Sequence, residues 1–267
     1  MDESLIRSGL RSPGRFHLHI FEKIDSTNSY LVELGKRNAP QWTVAVSEMQ
    51  TRGRGRLNRS WESPAGVGLW FSILLRPEIK PEECHLVNLL SAVSLADYLE
   101  QYIWKTFAKK FNIGLKWPND LFTNNRKLSG ILLQSNISSE SINFLVLGIG
   151  LNVNQTEMDF PDAIREKAIS LQMATNREWS REELLSGFME NFYENYNLFL
   201  PQKKAEIIEL YMKKLLYMNE DISINLNGER VTGVFKGLTP LGYLIIQSGD
   251  EERVITTGEI KVDASHL

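Results

Sequence analysis

The densest chemistry in the 267-residue chain lies in Gln50-Thr51-Arg52-Gly53-Arg54-Gly55-Arg56-Leu57-Asn58-Arg59-Ser60-Trp61. Arg52, Arg54, Arg56 and Arg59 fall within eight residues, and glycine fills two of the gaps. A guanidinium presents a planar fork of donors that matches phosphate oxygens, and each charge-assisted bond contributes about 1.5–3 kcal/mol. Glycine lets the backbone approach a ligand closely. Trp61 offers an aromatic face for an adenine or another apolar ring. A solvated basic loop has the same composition, so spacing alone leaves both readings open. Two phosphate motifs are excluded. Asn58 stands at the third glycine position of a dinucleotide fingerprint with no helical pattern after it, and no Gly-x-x-x-x-Gly-Lys-Ser/Thr occurs.

Three shorter segments carry further chemistry. In Lys116-Trp117-Pro118-Asn119-Asp120, the proline fixes the backbone and holds Trp117 extended, which displays Asn119 and Asp120 at a strand edge. An amide beside a carboxylate suits adenine or ribose, or a magnesium ion shared with phosphate oxygens. The same residues also make an ordinary turn. In Arg126-Lys127-Leu128-Ser129-Gly130-Ile131-Leu132, Lys127 opens an apolar strand, where a cation must be paired or exposed. Gly130 inside that strand signals close approach by another group. The alternative is a lysine at the exposed end of a hairpin. Gly148-Ile149-Gly150-Leu151-Asn152-Val153-Asn154 either lets a ligand lie against a sheet or forms a plain turn.

No enzyme nucleophile stands out. The four histidines and Cys84 have no metal-ligand spacing, and no Gly-x-Ser-x-Gly is present. His17 and His19 share one side of a strand and read as structural or exposed. Cys84 opens a helix, where a thiol can be activated, and reads as inert.

The elements that position these segments follow from periodicity. Phe16, Leu18 and Ile20 alternate with His17 and His19, which predicts a strand. Ser26 and Thr27 start a helix carrying Tyr30, Leu31 and Leu34. Strands are predicted at Thr43–Val46 and Gly68–Leu75. Leu86, Leu89, Leu90, Val93, Ala96 and Leu99 mark one face of a long helix. Strands and tight turns follow from Ile113 to Asn154, with turns at Asn124-Asn125 and Ile137 to Ser141 and a central strand at Phe144–Ile149. Helical spacing returns with Leu185, Phe188, Phe192, Tyr196 and Phe199, and again over Lys204 to Leu216. Beyond Asn219 short strands take over, at Ile222 to Leu226, Val231–Phe235, Tyr243–Ile246 and Arg253–Thr256, with a hairpin signal at Asn227-Gly228. The expected division is a main domain over 1–218 and a small β-barrel over 219–267 that leans on it.

Net charge is −3, so nothing global steers the chain to nucleic acid or an anionic membrane. One cysteine excludes an internal disulfide framework and suits a reducing compartment. The first residues lack a signal-peptide pattern, and no run approaches the ~20 apolar residues of a membrane span. A cytoplasmic protein without a membrane partner is expected.

Taken in order, the four segments resemble the biotin protein ligase family. Gln-Thr-x-Gly-Arg-Gly-Arg-Leu-x-Arg-x-Trp is similar to its biotin loop, and Lys-Trp-Pro-Asn-Asp to its nucleotide motif. Lys-Leu-x-Gly-Ile-Leu and Gly-Ile-Gly-x-Asn-Val-Asn resemble its next two signatures, and Ser26-Thr27-Asn28 its short preceding element. The resemblance implies an α+β fold, a mixed β-sheet flanked by helices like that of class II aminoacyl-tRNA synthetases, with an SH3-like C-terminal barrel. It implies that biotin and ATP are substrates, with Mg2+, and that biotinyl-5′-AMP forms before biotin passes to a lysine of a biotin carboxyl carrier domain of an acyl-CoA carboxylase. By motif, Ser26, Thr27, Asn28, Gln50, Gly130 and Leu132 belong to biotin, with Arg54, Gly55, Arg56 and Lys127 at its carboxylate and the α-phosphate. Trp61, Lys116, Asn119, Asp120 and Asn152 belong to the nucleotide, with the magnesium ion near Asp120. Arg54, Arg56, Lys127 and Asp120 are the expected catalytic groups, Asp120 as the base for the incoming amine. Arg52 and Asn58 depart from the family pattern, which often has a small residue and a glycine there.

Three rivals remain at this stage. A lipoate protein ligase shares the fold and the adenylation chemistry, though the Gly-Arg-Gly-Arg and Lys-Trp-Pro-Asn-Asp segments favour biotin. A biotin-responsive repressor needs a DNA reader, and only about 15 residues precede the first strand, too few for three helices. A non-catalytic binding protein is disfavoured by the intact arginines and Lys127. A sheet edge in such a fold can pair with a second copy, giving a homodimer, or with the carrier.

Overall fold

Two side-chain periods build the larger, N-terminal part of the chain. The computed structural model describes residues 1–138, 141–226 and 229–261. A short helix α1 (Glu3–Ser8) precedes the edge strand β1 (His17–Ile24). Helix α2 (Thr27–Lys36) begins at Ser26, whose side chain accepts from the Ser29 amide as an N-cap. Strands β2 (Thr43–Gln50) and β3 (Gly68–Leu75) follow, then helix α3 (Cys84–Phe107). Next come β4 (Gly114–Lys116), β5 (Asp120–Thr123), β6 (Arg126–Ile137) and β7 (Ile142–Asn152). Short helices α4 (Asp162–Arg165) and α5 (Leu171–Thr175) lead to α6 (Arg181–Phe199) and α7 (Lys204–Met212).

The seven strands form one sheet in the order β1-β2-β3-β7-β6-β5-β4. β1 and β2 run parallel and the other neighbours antiparallel, so the sheet is mixed. A parallel pair needs a crossover, and α2 provides it. Alternation along each strand then divides the core. Val44, Val46, Phe71, Ile73, Leu145 and Leu147 share a core with α3, α6 and α7. Ala45, Leu74, Phe144 and Val146 meet Leu31 of α2 on the other face. Further along β7 that second face carries Gly148 and Gly150, so beyond α2 the sheet is bare enough to form a cleft floor.

The second sheet is antiparallel, with β8 (Asp221–Leu226), β9 (Glu229–Leu238), β10 (Leu244–Ser248), β11 (Glu251–Ile255) and β12 (Ile260–Lys261) in the order β11-β10-β9-β8-β12. Its buried Ile222, Ile224, Phe235, Leu244 and Ile246 are continuous with the main core. Trp117 Nε1 donates to the Gly242 carbonyl at 2.9 Å, tying the two sheets together.

Most expected elements are present with shifted ends. The helix expected to reach Leu216 stops at Met212, because the following residues turn to pair with β4 through Leu115 and Leu215. The Asn124-Asn125 turn is left-handed at both positions, as a two-residue hairpin turn requires. The Asn227-Gly228 hairpin signal lies outside the described residues. No described helix is long and apolar enough to cross a membrane.

Candidate active site

The four segments converge on one cleft over the bare part of the sheet. Its wall includes Ser26, Thr27, Asn28 and Gln50 at one end, Arg54 to Leu57 and Trp61 from the loop, and Asn119, Asp120 and Lys127 opposite. Gly130, Leu132, Gly148 and Gly150 lie on its floor, and the cavity is about 110 Å³.

The glycines on the floor are there for space. A β-carbon on Gly150 would overlap the Trp61 indole, one on Gly130 would come within 2.8 Å of it, and one on Gly148 would overlap Asn28. The close approach that Gly130 signalled in sequence is therefore Trp61 folding onto the sheet. Trp61 Nε1 is buried there without a hydrogen-bond partner, and Trp70 meets the ring edge-on at 6.3 Å.

The charged groups form two linked pairs. Arg56 donates to Asn119 Oδ1 at 3.0 Å, joining the loop to the second motif. Burial works against the Arg56 charge, and the carboxylates of Asp120 and Glu259 oppose that effect. Lys127 Nζ lies 2.7 Å from Asp120 Oδ2 and 5.3 Å from the Trp61 ring. The cation that opens an apolar strand is thus paired, as burial demands. Asn119 is held in turn: its Nδ2 donates to the Ile131 carbonyl, and its own carbonyl accepts from the Ile131 amide.

At the other end the polar residues bond one another. Thr27 gives its backbone N–H to Gln50 Oε1 at 2.9 Å. Gln50 Nε2 donates to Ser63 Oγ at 3.0 Å. Asn28 Nδ2 donates to Gln134 Oε1 at 3.0 Å.

Two of the expected nucleotide residues do not line the cleft. Asn152 is buried, donating to the carbonyls of Ile169 and Lys127 and accepting from Gln155 Nε2. Its amide is used up in holding β7 to β6 and to the segment before α5. Lys116 pairs with Asp120 across the β4–β5 turn but turns its ammonium over the Phe122 ring, 5.5 Å from the centroid. Burial lowers its pKa, and Glu259 and Asp120 act against that.

Sequence reasoning missed Glu259, which reaches the cleft from the second sheet and pairs with Arg59 at 2.6 Å. Nothing local in Thr-Gly-Glu-Ile signals this, since the contact depends on how the two sheets dock. Leu57 was also missed. It is left-handed at φ 54° and 61% exposed at the lip of the cleft.

With this geometry in place, the relatives are informative. Residues 20–152 match the Biotin/lipoate A/B protein ligase family, and residues 217–262 match the biotin protein ligase C-terminal domain. A bifunctional ligase/repressor of Bacillus subtilis is 30% identical over 98% of this chain and 79% of its own length. A biotin--[acetyl-CoA-carboxylase] ligase of Mycobacterium tuberculosis is 29% identical over 97% of this chain and 95% of its own. The biotin protein ligase of Aquifex aeolicus, solved with biotin and ATP, superposes with a TM-score of 0.76 at 31% identity, covering 92% of this chain and 97% of that one. With the motifs in register and both parts of the chain matched, the chain belongs to the biotin protein ligase family.

Proposed function

We propose that the cleft makes this chain an ATP-dependent biotin protein ligase, with residues 1–218 as its catalytic body and 219–267 as its C-terminal domain. The observation that carries the reading is one cleft in which Arg56 holds Asn119 and Lys127 holds Asp120, above a floor of glycines. A carboxylate is a poor electrophile, so amide formation needs activation. A carboxylate oxygen of biotin attacks the α-phosphorus of ATP, the bond to the β,γ-phosphates breaks, and pyrophosphate leaves with biotinyl-5′-AMP remaining. Charge builds on phosphate oxygens, and fixed cations stabilise it without an enzyme nucleophile.

Arg54 and Arg56 would meet the phosphate from the loop. Lys127 would exchange Asp120 for the biotin carboxylate or the bridging phosphate. Ser26, Thr27, Asn28 and Gln50 would take the biotin head group, with Gly130 and Leu132 beneath it, and Trp61 and Asn119 the nucleotide. The Asp120 so released would then accept a proton as the carrier lysine attacks the acyl carbon and AMP leaves. Asn152 acts on this site by holding β6 and β7 together.

Magnesium would arrive with the phosphates, which supply most of its ligands in nucleotide sites. Asp120 would hold it, and it would neutralise developing phosphate charge; the described residues contain no cluster of three metal-binding side chains. The carrier would be a biotin carboxyl carrier domain, as the name of the Mycobacterium relative suggests. A cytoplasmic location fits this partner.

Pyrophosphate release from ATP with biotin, with lipoate and with neither tests the reading. Release that depends on biotin is expected. Release with lipoate alone would move the activity to the sister reaction, and no release with either acid would favour a ligand-binding or inactive homologue.

A further inference from the structure

Ser72 interrupts the apolar run of β3 and is fully buried, 0% exposed, behind the head-group end of the cleft. A buried hydroxyl left unpaired costs about 1–3 kcal/mol, so its partners matter. Ser72 Oγ lies 2.6 Å from Asn28 Oδ1 and 2.7 Å from Thr27 Oγ1. Each contact needs one proton, and the surroundings fix where the protons go.

Two groups of unchangeable sign anchor the chain. The Leu132 carbonyl can only accept, and Asn28 Nδ2 faces it at 3.4 Å. Asn28 therefore turns Oδ1, a pure acceptor, to Ser72, and the Ser72 proton must lie between them. Ser72 Oγ is left with a lone pair toward Thr27. At the other end the Thr27 backbone N–H can only donate, which fixes Gln50 with Oε1 toward Thr27. The Thr27 hydroxyl thus faces two acceptors, Ser72 Oγ at 2.7 Å and Gln50 Oε1 at 3.1 Å. Its proton is directed into the protein, so toward the cleft that Thr27 lines the hydroxyl has only lone pairs to offer.

We propose that Ser72 is a positioning residue for substrate choice, fixing the Thr27 hydroxyl as an acceptor so that the cleft selects an acid whose head group carries an N–H donor. The inference rests on the biotin reading and extends it. A cyclic urea has two N–H groups to offer; a dithiolane ring has none and would leave Thr27 unpaired. A site built to hydrogen-bond a donor rejects the analogue lacking it more strongly than shape alone would. Gly148 belongs to the same device, because any β-carbon there would displace Asn28 and release the Ser72 proton.

The test is biotin-dependent pyrophosphate release by the full chain, measured for wild type, Ser72→Ala, Ser72→Thr, Thr27→Val and the Ser72→Ala/Thr27→Val double variant. Ser72→Ala is expected to raise KM for biotin about tenfold, the size of one lost hydrogen bond, with kcat within about twofold and KM for ATP unchanged. Ser72→Thr keeps the hydroxyl and should recover most of the loss. In the Thr27→Val background Ser72→Ala should add less than about twofold, because the two residues act through one hydrogen bond. Carbamate analogues of biotin, one for each ureido nitrogen replaced by oxygen, give the second readout. Wild type should reject at least one of them, and Ser72→Ala should narrow that penalty. If Ser72→Ala does not fold, Ser72→Cys keeps the volume with a weak donor and takes its place. Additive effects in the double variant, or a fall in kcat at unchanged KM for biotin, would overturn the proposal. Wild-type protein that releases no pyrophosphate with biotin would overturn the functional reading first and this inference with it.

Discussion

Arg56 joins two jobs in one side chain: it meets the cleft from the loop and orients Asn119 at 3.0 Å. Arg56→Ala is expected to lower kcat/KM by about 10²–10³, the usual cost of removing one preorganised donor at developing charge. Single-turnover adenylate formation and carrier biotinylation should fall together, and wild-type carrier labelling would refute the role. Gly130 makes a different kind of prediction. Alanine in place of a strand glycine ordinarily stabilises slightly, by restricting the unfolded chain. Here the new β-carbon would meet Trp61 Cζ3 at 2.8 Å, so the indole must leave the floor. Gly130→Ala should leave the melting temperature within a few degrees yet raise KM for both biotin and ATP several-fold. Unchanged KM values would mean that Trp61 has no fixed place in the working site. These residue-scale features were legible in part. The type and order of Arg54, Arg56, Lys127 and Asp120 declared their chemistry, whereas the use of Asn152 was hidden, because its amide nitrogen donates to backbone carbonyls that carry no sequence signal.

At the scale of elements, alternation made the sheet readable and burial blurred it. β3 is buried on both faces, so its apolar run named a strand but not the side facing the cleft. Ser72 and the glycines of β7 were the available clue, since β7 goes from Phe144 and Val146 to Gly148 and Gly150 along one face. Short α1, α4 and α5 left no periodic signal, being one or two turns long. A long-range staple was equally invisible. Arg76, just past β3, donates to the carbonyls of Gly35, Ala39 and Asn143, so one guanidinium caps α2 and binds it to the start of β7. Charged donors of this kind contribute about 1.5–3 kcal/mol each at most, less where exposed. Arg76→Met should therefore cost about 1–3 kcal/mol in denaturant unfolding and leave KM for biotin unchanged at low temperature. A loss of activity without loss of stability would contradict a purely structural staple.

Over the whole molecule, the second sheet is docked at the very motif that carries Asn119 and Asp120. Trp117 donates to the Gly242 carbonyl, and His85 lies between Trp117 and Tyr243, stacked on the latter at 5.8 Å. His85 Nε2 is buried without a partner, and burial, aided by the nearby Arg56 charge and opposed by a backbone hydrogen bond to Gly242, pushes its pKa down to about 4. The sign of the consequence follows from proton counts. Between the ordinary imidazole value of about 6.5 and the folded value of about 4, the unfolded chain holds a proton that the folded chain refuses. Stability contributed by neutral His85 is thus complete above pH 6.5 and is lost as pH falls through that window, by at most about 3 kcal/mol. Because His85 bridges the sheets, the loss should appear first as undocking of the second sheet, which would also free Glu259 from Arg59. Amide hydrogen exchange at pH 7 and pH 5 checks this: Ile222, Ile224 and Phe235 should lose more protection at pH 5 than Val146 and Leu147 of the main sheet. His85→Phe should remove most of that difference, because it fills the junction without a titrating group. Equal pH dependence in both sheets of the wild type, or none removed by His85→Phe, would show that the junction does not sense protons.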